Sequence, residues 1–180
     1  MPHRTLLLYS TTDGHTVNIC QHIRDVLVEA GHEVEINDIR QPPTRPLVDW
    51  DTIVIGASIR YGKHQTVVTR FIAEHGALLT SKRNAFFSVN AVARKPHKRS
   101  AETNPYVRKF LRRIAWQPEV VAVFGGRLAY QSYSLIDRTM IRFIMWLTKG
   151  PTARDTVVNF TDWEEVTLFA RRLADPDVKD

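Results

Sequence analysis

The chain has 180 residues, of which 43% are hydrophobic and 24% charged, so it can fold as one domain with a sizeable core. Its formal net charge of +6 favours an anionic partner: a nucleic acid, a membrane surface or an acidic substrate. The single cysteine, Cys20, excludes an internal disulfide and a multi-cysteine metal site, and it favours a reducing compartment. No run approaches the roughly 20 apolar residues that span a bilayer, and no signal peptide is recognisable. We therefore expect a metal-free, single-domain protein without a membrane-spanning helix.

The first part of the chain alternates strands and helices. Residues 4–10 form a short, Leu-rich apolar run, which is typical of a strand buried on both faces. Apolar residues then recur at helical spacing from Val17 to Ala30, and Gly31 stands where a helix C-cap is expected. Residues 33–39 alternate apolar and polar side chains, which predicts an edge strand, and residues 52–55 predict a third strand.

The later part continues the same alternation. Its predicted elements are, in order, a helix around residues 67–79, a strand over 85–92, a helix over 104–114, strands over 120–124 and 156–160, and a final helix from residue 161. Asn104 is expected to be an N-cap with Pro105 at the first helical position, and Thr161 and Glu164 are expected to form a capping box. The alternation predicts a mainly parallel sheet with helices on both faces. Residues 125–155 do not fit it, and we interpret them as an insertion that carries its own helix.

Three loops follow predicted strands, at the edge where open α/β sheets bind ligands. The first loop, residues 10–16, combines hydroxyl groups, a glycine and a helix N-terminus, which suits a phosphate group. Neither a P-loop motif nor a dinucleotide fingerprint is present, so these two nucleotide-binding classes are excluded. An ordinary polar loop with a helix cap is the alternative. The candidate phosphate-binding residues of the first loop are Ser10, Thr11, Thr12, Gly14, His15 and Thr16.

The second loop, residues 56–62, and the third loop, residues 88–95, follow the third and fourth strands. Tyr61 offers a ring that can stack on a flat ligand, although it can also be an ordinary surface tyrosine. Asn90 offers an amide to the edge of a heterocycle, and Arg94 and Lys95 can pair with a carboxylate or a phosphate. The candidate ligand-binding residues of these loops are Ser58, Ile59, Arg60, Tyr61, Gly62, Ser88, Val89, Asn90, Ala93 and Arg94.

These loops resemble the cofactor loops of flavodoxins, and longer stretches resemble the bacterial menaquinone-dependent protoporphyrinogen dehydrogenases, a flavodoxin-like family. The matching stretches cover nearly the whole chain: GASIRYG at 56–62, SVNAVARKPHKR at 88–99, TNPYVRKFL at 103–111, residues 133–145, and TDWE at 161–164. The resemblance implies a flavodoxin-like α/β fold with a five-stranded parallel sheet in the order 2-1-3-4-5, helices on both faces and an insertion in the last strand. It also implies FMN as the cofactor.

The same resemblance implies an oxidoreductase of haem (porphyrin) biosynthesis that oxidises protoporphyrinogen IX and reduces a membrane quinone, either menaquinone or ubiquinone. Arg94 and Lys95 are then expected to hold the propionates of the porphyrinogen. No His, Asp or Glu stands out as a base, so no catalytic residue is predicted. Where flavodoxins have Thr-Gly-Asn-Thr, this chain has DGHT at 13–16, and we expect Asp13 to turn away from the phosphate and cap the helix. An electron-carrier flavodoxin and an NAD(P)H:quinone oxidoreductase of the same fold are the rival functions.

The insertion carries the second functional signal. Read as a helix, residues 134–149 place basic side chains on one stripe and apolar side chains opposite, which is typical of a helix lying in a membrane surface. A core helix or a dimer-interface helix is the alternative. Because no nucleic-acid-binding module is present, the positive charge is assigned to a membrane and not to nucleic acid. We expect a peripheral protein on the cytoplasmic face of the inner (plasma) membrane. Its predicted membrane contacts are Arg138, Arg142, Phe143, Trp146, Leu147 and Lys149.

Overall fold

The computed structural model describes residues 2–129, 139 and 157–175. Its strands are β1 (Arg4–Ser10), β2 (Glu33–Asp38), β3 (Thr52–Arg60), β4 (Lys63–His64), β5 (Arg83–Asn90), β6 (Val120–Gly125), β7 (Arg127–Ala129) and β8 (Val157–Asn159). Among these described residues, five parallel strands lie in the order β2-β1-β3-β5-β6, and the short strand β4 pairs antiparallel with β3. The predicted parallel sheet and its strand order are therefore confirmed, with β4 as an additional edge element.

Helices cover both faces of this sheet. They are α1 (His15–Glu29), α2 (Thr66–Ser81), α3 (Pro105–Leu111) and α4 (Trp163–Ala174). Leu6 and Leu8 of β1 belong to the core shared with α2 and α3, whereas Leu7 belongs to the core shared with α1 and α4. Because successive side chains of a strand point to opposite faces, both cores draw on β1. This two-sided burial explains why β1 is a continuous apolar run.

The strand β3 is longer than predicted. The small residues from Gly56 onward suggested a loop, yet they continue the strand to Arg60 and pair with β5. A Cβ atom at Gly56 would lie 2.1 Å from the ring of Phe87, so only glycine leaves room for that ring on the neighbouring strand. The turn between β3 and β4 consists of Tyr61 and Gly62, both with positive φ (51° and 73°), as a two-residue hairpin turn requires.

Helices α3 and α4 begin at side-chain caps that the sequence largely identifies. Asn104 caps α3 as predicted, because its side-chain oxygen accepts hydrogen bonds from the backbone N–H groups of Tyr106 and Val107. At α4 the prediction is wrong by one residue, because Asp162 and not Thr161 is the N-cap. The Thr161 hydroxyl instead donates to the backbone oxygen of Gly125, at 2.7 Å. A long-range contact therefore removes Thr161 from the cap that its local pattern suggested.

The strands on either side of the predicted insertion pair with each other. Strand β7, which follows β6, pairs antiparallel with β8, so the chain enters and leaves the segment between them at adjacent positions. The predicted helix over residues 134–149 and its six predicted membrane contacts lie outside the described residues. In the described ranges no helix is both long and apolar enough to cross a bilayer, and no cluster of metal-binding side chains is found there.

Candidate functional site

The three predicted loops meet at the carboxyl edge of the parallel sheet. Ser10 of β1 is paired in register with Ala57 of β3, which is paired with Ser88 of β5. The ends of the three strands are therefore side by side, and the loops that follow them face a common space. This is the position at which open α/β sheets bind their ligands.

The first loop forms the N-terminus of α1. Gly14 is the N-cap residue, with a φ of 83° that favours glycine. The N–H of Gly14 donates to Thr11 Oγ1 at 3.0 Å, and the N–H of His15 donates to Asp13 Oδ1 at 3.3 Å. Asp13 therefore does bond to the start of the helix, as the sequence suggested. The carboxylate also lies where the helix dipole favours a negative charge.

Three hydroxyl groups at this edge are buried without a hydrogen-bond partner among the described residues. They are Ser10 Oγ at the end of β1, Thr16 Oγ1 in the first turn of α1, and Ser58 Oγ in the second loop. A buried hydroxyl without a partner costs on the order of 1–3 kcal/mol, so such groups call for an acceptor. The phosphate and the polar ring edge of FMN supply acceptor oxygens and nitrogens. These residues therefore fit FMN.

Side chains from outside the first loop also hold it in place. Gln65 Nε2 donates to the backbone oxygen of Thr11 at 3.1 Å and approaches Thr12 Oγ1 at 3.2 Å. His15 is buried, and its Nε2 lies 2.6 Å from Thr161 Oγ1. Burial lowers the pKa of His15, with Asp13 opposing that shift. Gln65 carries no signal in the sequence and Thr161 is assigned there to a helix cap, because both contacts join residues that are far apart in the chain.

The second loop presents an exposed aromatic ring. Tyr61 is 53% exposed and lies at the hairpin turn, with the guanidinium carbon of Arg60 5.5 Å from its ring centroid. A Cβ atom at Gly62 would lie 3.2 Å from the ring of Tyr106, so α3 limits the space behind this turn. Ile59 is half-buried next to it. The stacking role of Tyr61 stays a prediction, and its exposure leaves the ring open to a ligand.

Asn90 also supports the third loop from within. Its side chain is buried, and the side-chain oxygen accepts hydrogen bonds from the Ala93 N–H and from Asn104 Nδ2, both at 3.1 Å. Its backbone oxygen accepts from the Gly126 N–H. The expected contact of its amide with the edge of a heterocycle stays a prediction.

The other third-loop candidates divide into buried and peripheral positions. Ser88, Val89 and Ala93 are buried, so their side chains lie within the fold. Arg94 and Lys95 are half-buried at the outer edge, and Arg94 Nη1 donates to the Ala91 oxygen at 3.2 Å. Their position at the ligand-binding edge agrees with a charged contact, which stays a prediction.

A half-buried imidazole connects the second and third loops. His64 on β4 packs against Phe86 and Phe110, with ring centroids 5.5 Å and 4.4 Å away. Its Nε2 lies 3.0 Å from Ser88 Oγ. Burial lowers the pKa of His64 to about 4, so the imidazole is neutral near pH 7.

Comparisons with known proteins agree with this geometry. Solved structures with the same fold include a flavodoxin from Archaea (TM-score 0.55, 14% identity, covering 96% of this chain and 97% of that one) and flavodoxin 2 from Bacillus cereus (TM-score 0.57, 17% identity, covering 96% and 99%). A sequence profile described as a flavodoxin domain matches residues 6–155. The fold and the site thus define a flavodoxin-type protein, and FMN is its cofactor.

Curated sequences narrow the family further. The protoporphyrinogen IX dehydrogenase (quinone) of Escherichia coli K12 is 42% identical over 171 residues, which cover 95% of this chain and 94% of the relative. A protein of the same name from Leishmania major is 41% identical over 172 residues, covering 95% and 74%. The chain therefore belongs to the protoporphyrinogen IX dehydrogenase (quinone) family of flavodoxin-domain proteins.

Proposed function

We propose that this chain oxidises protoporphyrinogen IX to protoporphyrin IX with FMN as its cofactor and a membrane quinone as the electron acceptor. The observation that carries the FMN part of the proposal is that the hydroxyls of Ser10, Thr16 and Ser58 at the sheet edge are buried without a hydrogen-bond partner among the described residues, which fits FMN. The chain also matches its named relatives over 95% of its length. The activity places it in haem biosynthesis as an oxidoreductase.

The bound flavin supplies the redox chemistry, and the protein supplies binding and orientation. The hydroxyls of Ser10 and Thr16 would hold the phosphate at the N-terminus of α1, where the helix dipole favours an anion. The exposed Tyr61 ring would stack on the flavin. The neutral pair of His64 and Ser88 holds the β3–β4 turn beside the ring without adding a buried charge.

The substrate carries propionate groups, and the third loop offers cations to them. Arg94 and Lys95 lie at its outer edge, where they can contact a ligand that covers the flavin. Charge-assisted hydrogen bonds from these groups would hold the propionate carboxylates at the rim of the site. We assign no catalytic base, because the two histidines of this edge, His15 and His64, are already engaged by Thr161 and Ser88.

The acceptor is a lipid-soluble quinone, menaquinone or ubiquinone, and the enzyme must meet it at a membrane. We propose that residues 134–149 lie in the bilayer surface, with Phe143, Trp146 and Leu147 buried and Arg138, Arg142 and Lys149 near anionic head groups. Support comes from the ends of this segment: β7 starts two residues after Gly125, and the Gly126 N–H bonds to Asn90 beside the third loop. The described residues that precede this segment, from Gly125 to Ala129, therefore begin beside the third loop. The proposed location is the cytoplasmic face of the inner (plasma) membrane.

A donor-exchange assay tests this function. The FMN-loaded protein is offered protoporphyrinogen IX, NADH or NADPH as the donor, with a quinone as the acceptor, and initial rates are measured. Turnover with protoporphyrinogen and not with the nicotinamides is expected. Preferred turnover with NADH or NADPH would make it a nicotinamide-dependent quinone reductase. If it accepted no quinone and exchanged electrons only with a protein partner, it would be an electron carrier.

A further inference from the structure

A histidine and a threonine connect the first loop to the start of α4. His15 is the first residue of α1, and Thr161 directly precedes the N-cap of α4. His15 Nε2 and Thr161 Oγ1 are 2.6 Å apart although 146 residues separate them in the chain. His15 is only 4% exposed. The start of the flavin-binding helix is therefore held from outside its own loop.

The direction of this hydrogen bond follows from its neighbours. The Thr161 hydroxyl has one proton, which it donates to the Gly125 oxygen at 2.7 Å, because a carbonyl oxygen can only accept. Thr161 must therefore accept from His15, which requires a proton on Nε2. Burial lowers the pKa of His15, so the ring is neutral and its Nδ1 is unprotonated. The result is a chain of two hydrogen bonds, from His15 to Thr161 and from Thr161 to β6.

We propose that His15 and Thr161 are positioning residues for FMN: they fix the first turn of α1 so that the Thr16 hydroxyl and the helix N-terminus face the phosphate. His15 lies between Gly14, the N-cap, and Thr16, whose hydroxyl is buried without a partner among the described residues and is assigned to the flavin site. Losing the His15 bond frees the turn that carries these groups. The inference rests on FMN binding alone and does not depend on which donor or acceptor the enzyme uses.

The same two helices supply a matched control. His22 Nε2 lies 2.8 Å from Thr167 Oγ1, which is again a histidine of α1 bonded to a threonine in the α4 region. Both histidine rings also contact Trp163, with centroids 6.2 Å (His15) and 5.2 Å (His22) away. His22 is about two turns further along α1, away from the first loop. Loss of the His22–Thr167 pair therefore weakens the docking of α1 on α4 without releasing the first turn.

Equilibrium titration of the full-length, flavin-free protein tests the proposal. FMN and riboflavin, which lacks the phosphate, are titrated into His15→Leu, Thr161→Val, the double variant, His22→Leu and Thr167→Val, and thermal unfolding is measured for each. We expect the first two variants to weaken FMN binding by about tenfold, because releasing the first turn weakens one hydrogen bond from it to the charged phosphate. Riboflavin affinity is expected to stay within about twofold, and the double variant to be no weaker than the worse single variant.

Rescue and control variants decide between positioning and general packing. His15→Gln keeps an N–H donor, so it is expected to recover most of the FMN affinity. If His22→Leu and Thr167→Val weakened FMN binding as much as the first pair, or if FMN and riboflavin weakened equally, helix packing would explain the effect and the proposal would be wrong. Unchanged FMN affinity in His15→Leu and Thr161→Val would also overturn it. If these variants behave as expected while the donor assay shows no porphyrinogen turnover, the proposed function fails and this inference stands.

Discussion

The first loop and the third loop lie on the same edge of the sheet, yet their polar side chains find partners in different ways. Around the first loop, the hydroxyls of Ser10 and Thr16 are buried without partners among the described residues. At the third loop, Asn90 Oδ1 accepts from the Ala93 N–H and from Nδ2 of Asn104, the N-cap of α3, which also donates to the Lys98 oxygen. The first loop keeps two buried hydroxyls for a ligand, whereas Asn90 and Asn104 use their polar groups to hold the third loop and the start of α3 in place.

This difference predicts that substitutions at the two loops act separately on FMN affinity and on the stability of the flavin-free fold. Removing a group that awaits a ligand is expected to change flavin binding and to leave the flavin-free fold intact. Removing a group from the internal network leaves its partner buried and unsatisfied, which destabilises the fold whether or not flavin is bound. Each variant below can therefore be assigned to one loop type by comparing its effect on FMN affinity with its effect on unfolding.

The largest effect is expected for Asn104→Ala. Asn104 is fully buried, caps α3, and donates from Nδ2 to Asn90 Oδ1 and to the Lys98 oxygen. Losing the cap and these buried bonds should lower the free energy of unfolding by about 2–3 kcal/mol. Urea denaturation measures the change, and FMN affinity of the folded protein should change by less than about threefold.

Asp162→Ala is the control for the loss of a cap. Asp162 caps α4 in the same way but is half exposed, and it also accepts from Arg99 Nη1 at 3.2 Å. Its replacement should cost only about 1 kcal/mol, because solvent can satisfy the groups that it leaves. If both variants cost the same, the buried contacts of Asn104 would add nothing to its cap.

The next effect is a pH dependence of stability that comes from His64. Its pKa is about 4 in the folded protein and near 6.5 when unfolded, so the unfolded chain binds the proton first as the pH falls. Stability is therefore complete above about pH 6.5 and decreases as the pH falls toward 4. Between pH 7 and pH 5 the loss should be about 1–2 kcal/mol. His64→Gln keeps a donor for Ser88 without a titrating group, so its free energy of unfolding should fall less over the same range.

The sequence predicted local features well and long-range ones poorly. Asn104 and Pro105 were recognised because a cap depends on neighbouring residues. Gly56 is assigned to a loop because glycine is common in turns. The structure needs a glycine there because the Phe87 ring on the neighbouring strand fills the space of a side chain. Thr161 is assigned to a helix cap from its neighbours in the sequence, which cannot indicate that its hydroxyl bonds to Gly125, 36 residues away. Contacts of this kind decide the site and carry no local pattern.

A smaller effect is expected for Thr16→Val, which tests the open groups of the first loop. Valine has the shape of threonine without the hydroxyl, and that hydroxyl is buried without a partner among the described residues. FMN affinity should fall about five- to tenfold, while the flavin-free protein should be as stable as before or slightly more stable. Thr5→Val is the matched control. Thr5 is also buried, but its Oγ1 has a hydrogen-bond partner, His32 Nδ1 at 3.1 Å. It should lose stability and leave FMN affinity unchanged; the reverse pattern would contradict the comparison.

The smallest effect concerns Tyr61, where the ring and the backbone can be tested separately. Its φ of 51° is unfavourable for a residue with a Cβ atom, and its ring is more than half exposed. Tyr61→Ala and Tyr61→Gly both remove the ring, so both should weaken FMN binding by about fivefold, on the order of 1 kcal/mol of stacking. Tyr61→Phe keeps the ring and should bind FMN as well as the natural protein. Because glycine accepts a positive φ, Tyr61→Gly should be about 0.5–1 kcal/mol more stable than Tyr61→Ala in urea denaturation.

An unchanged dissociation constant and flavin spectrum in both ring-free variants would show that Tyr61 does not contact the flavin. In that case the residue would serve only the hairpin turn, and the second loop would resemble the self-contained third loop more than the ligand-dependent first loop.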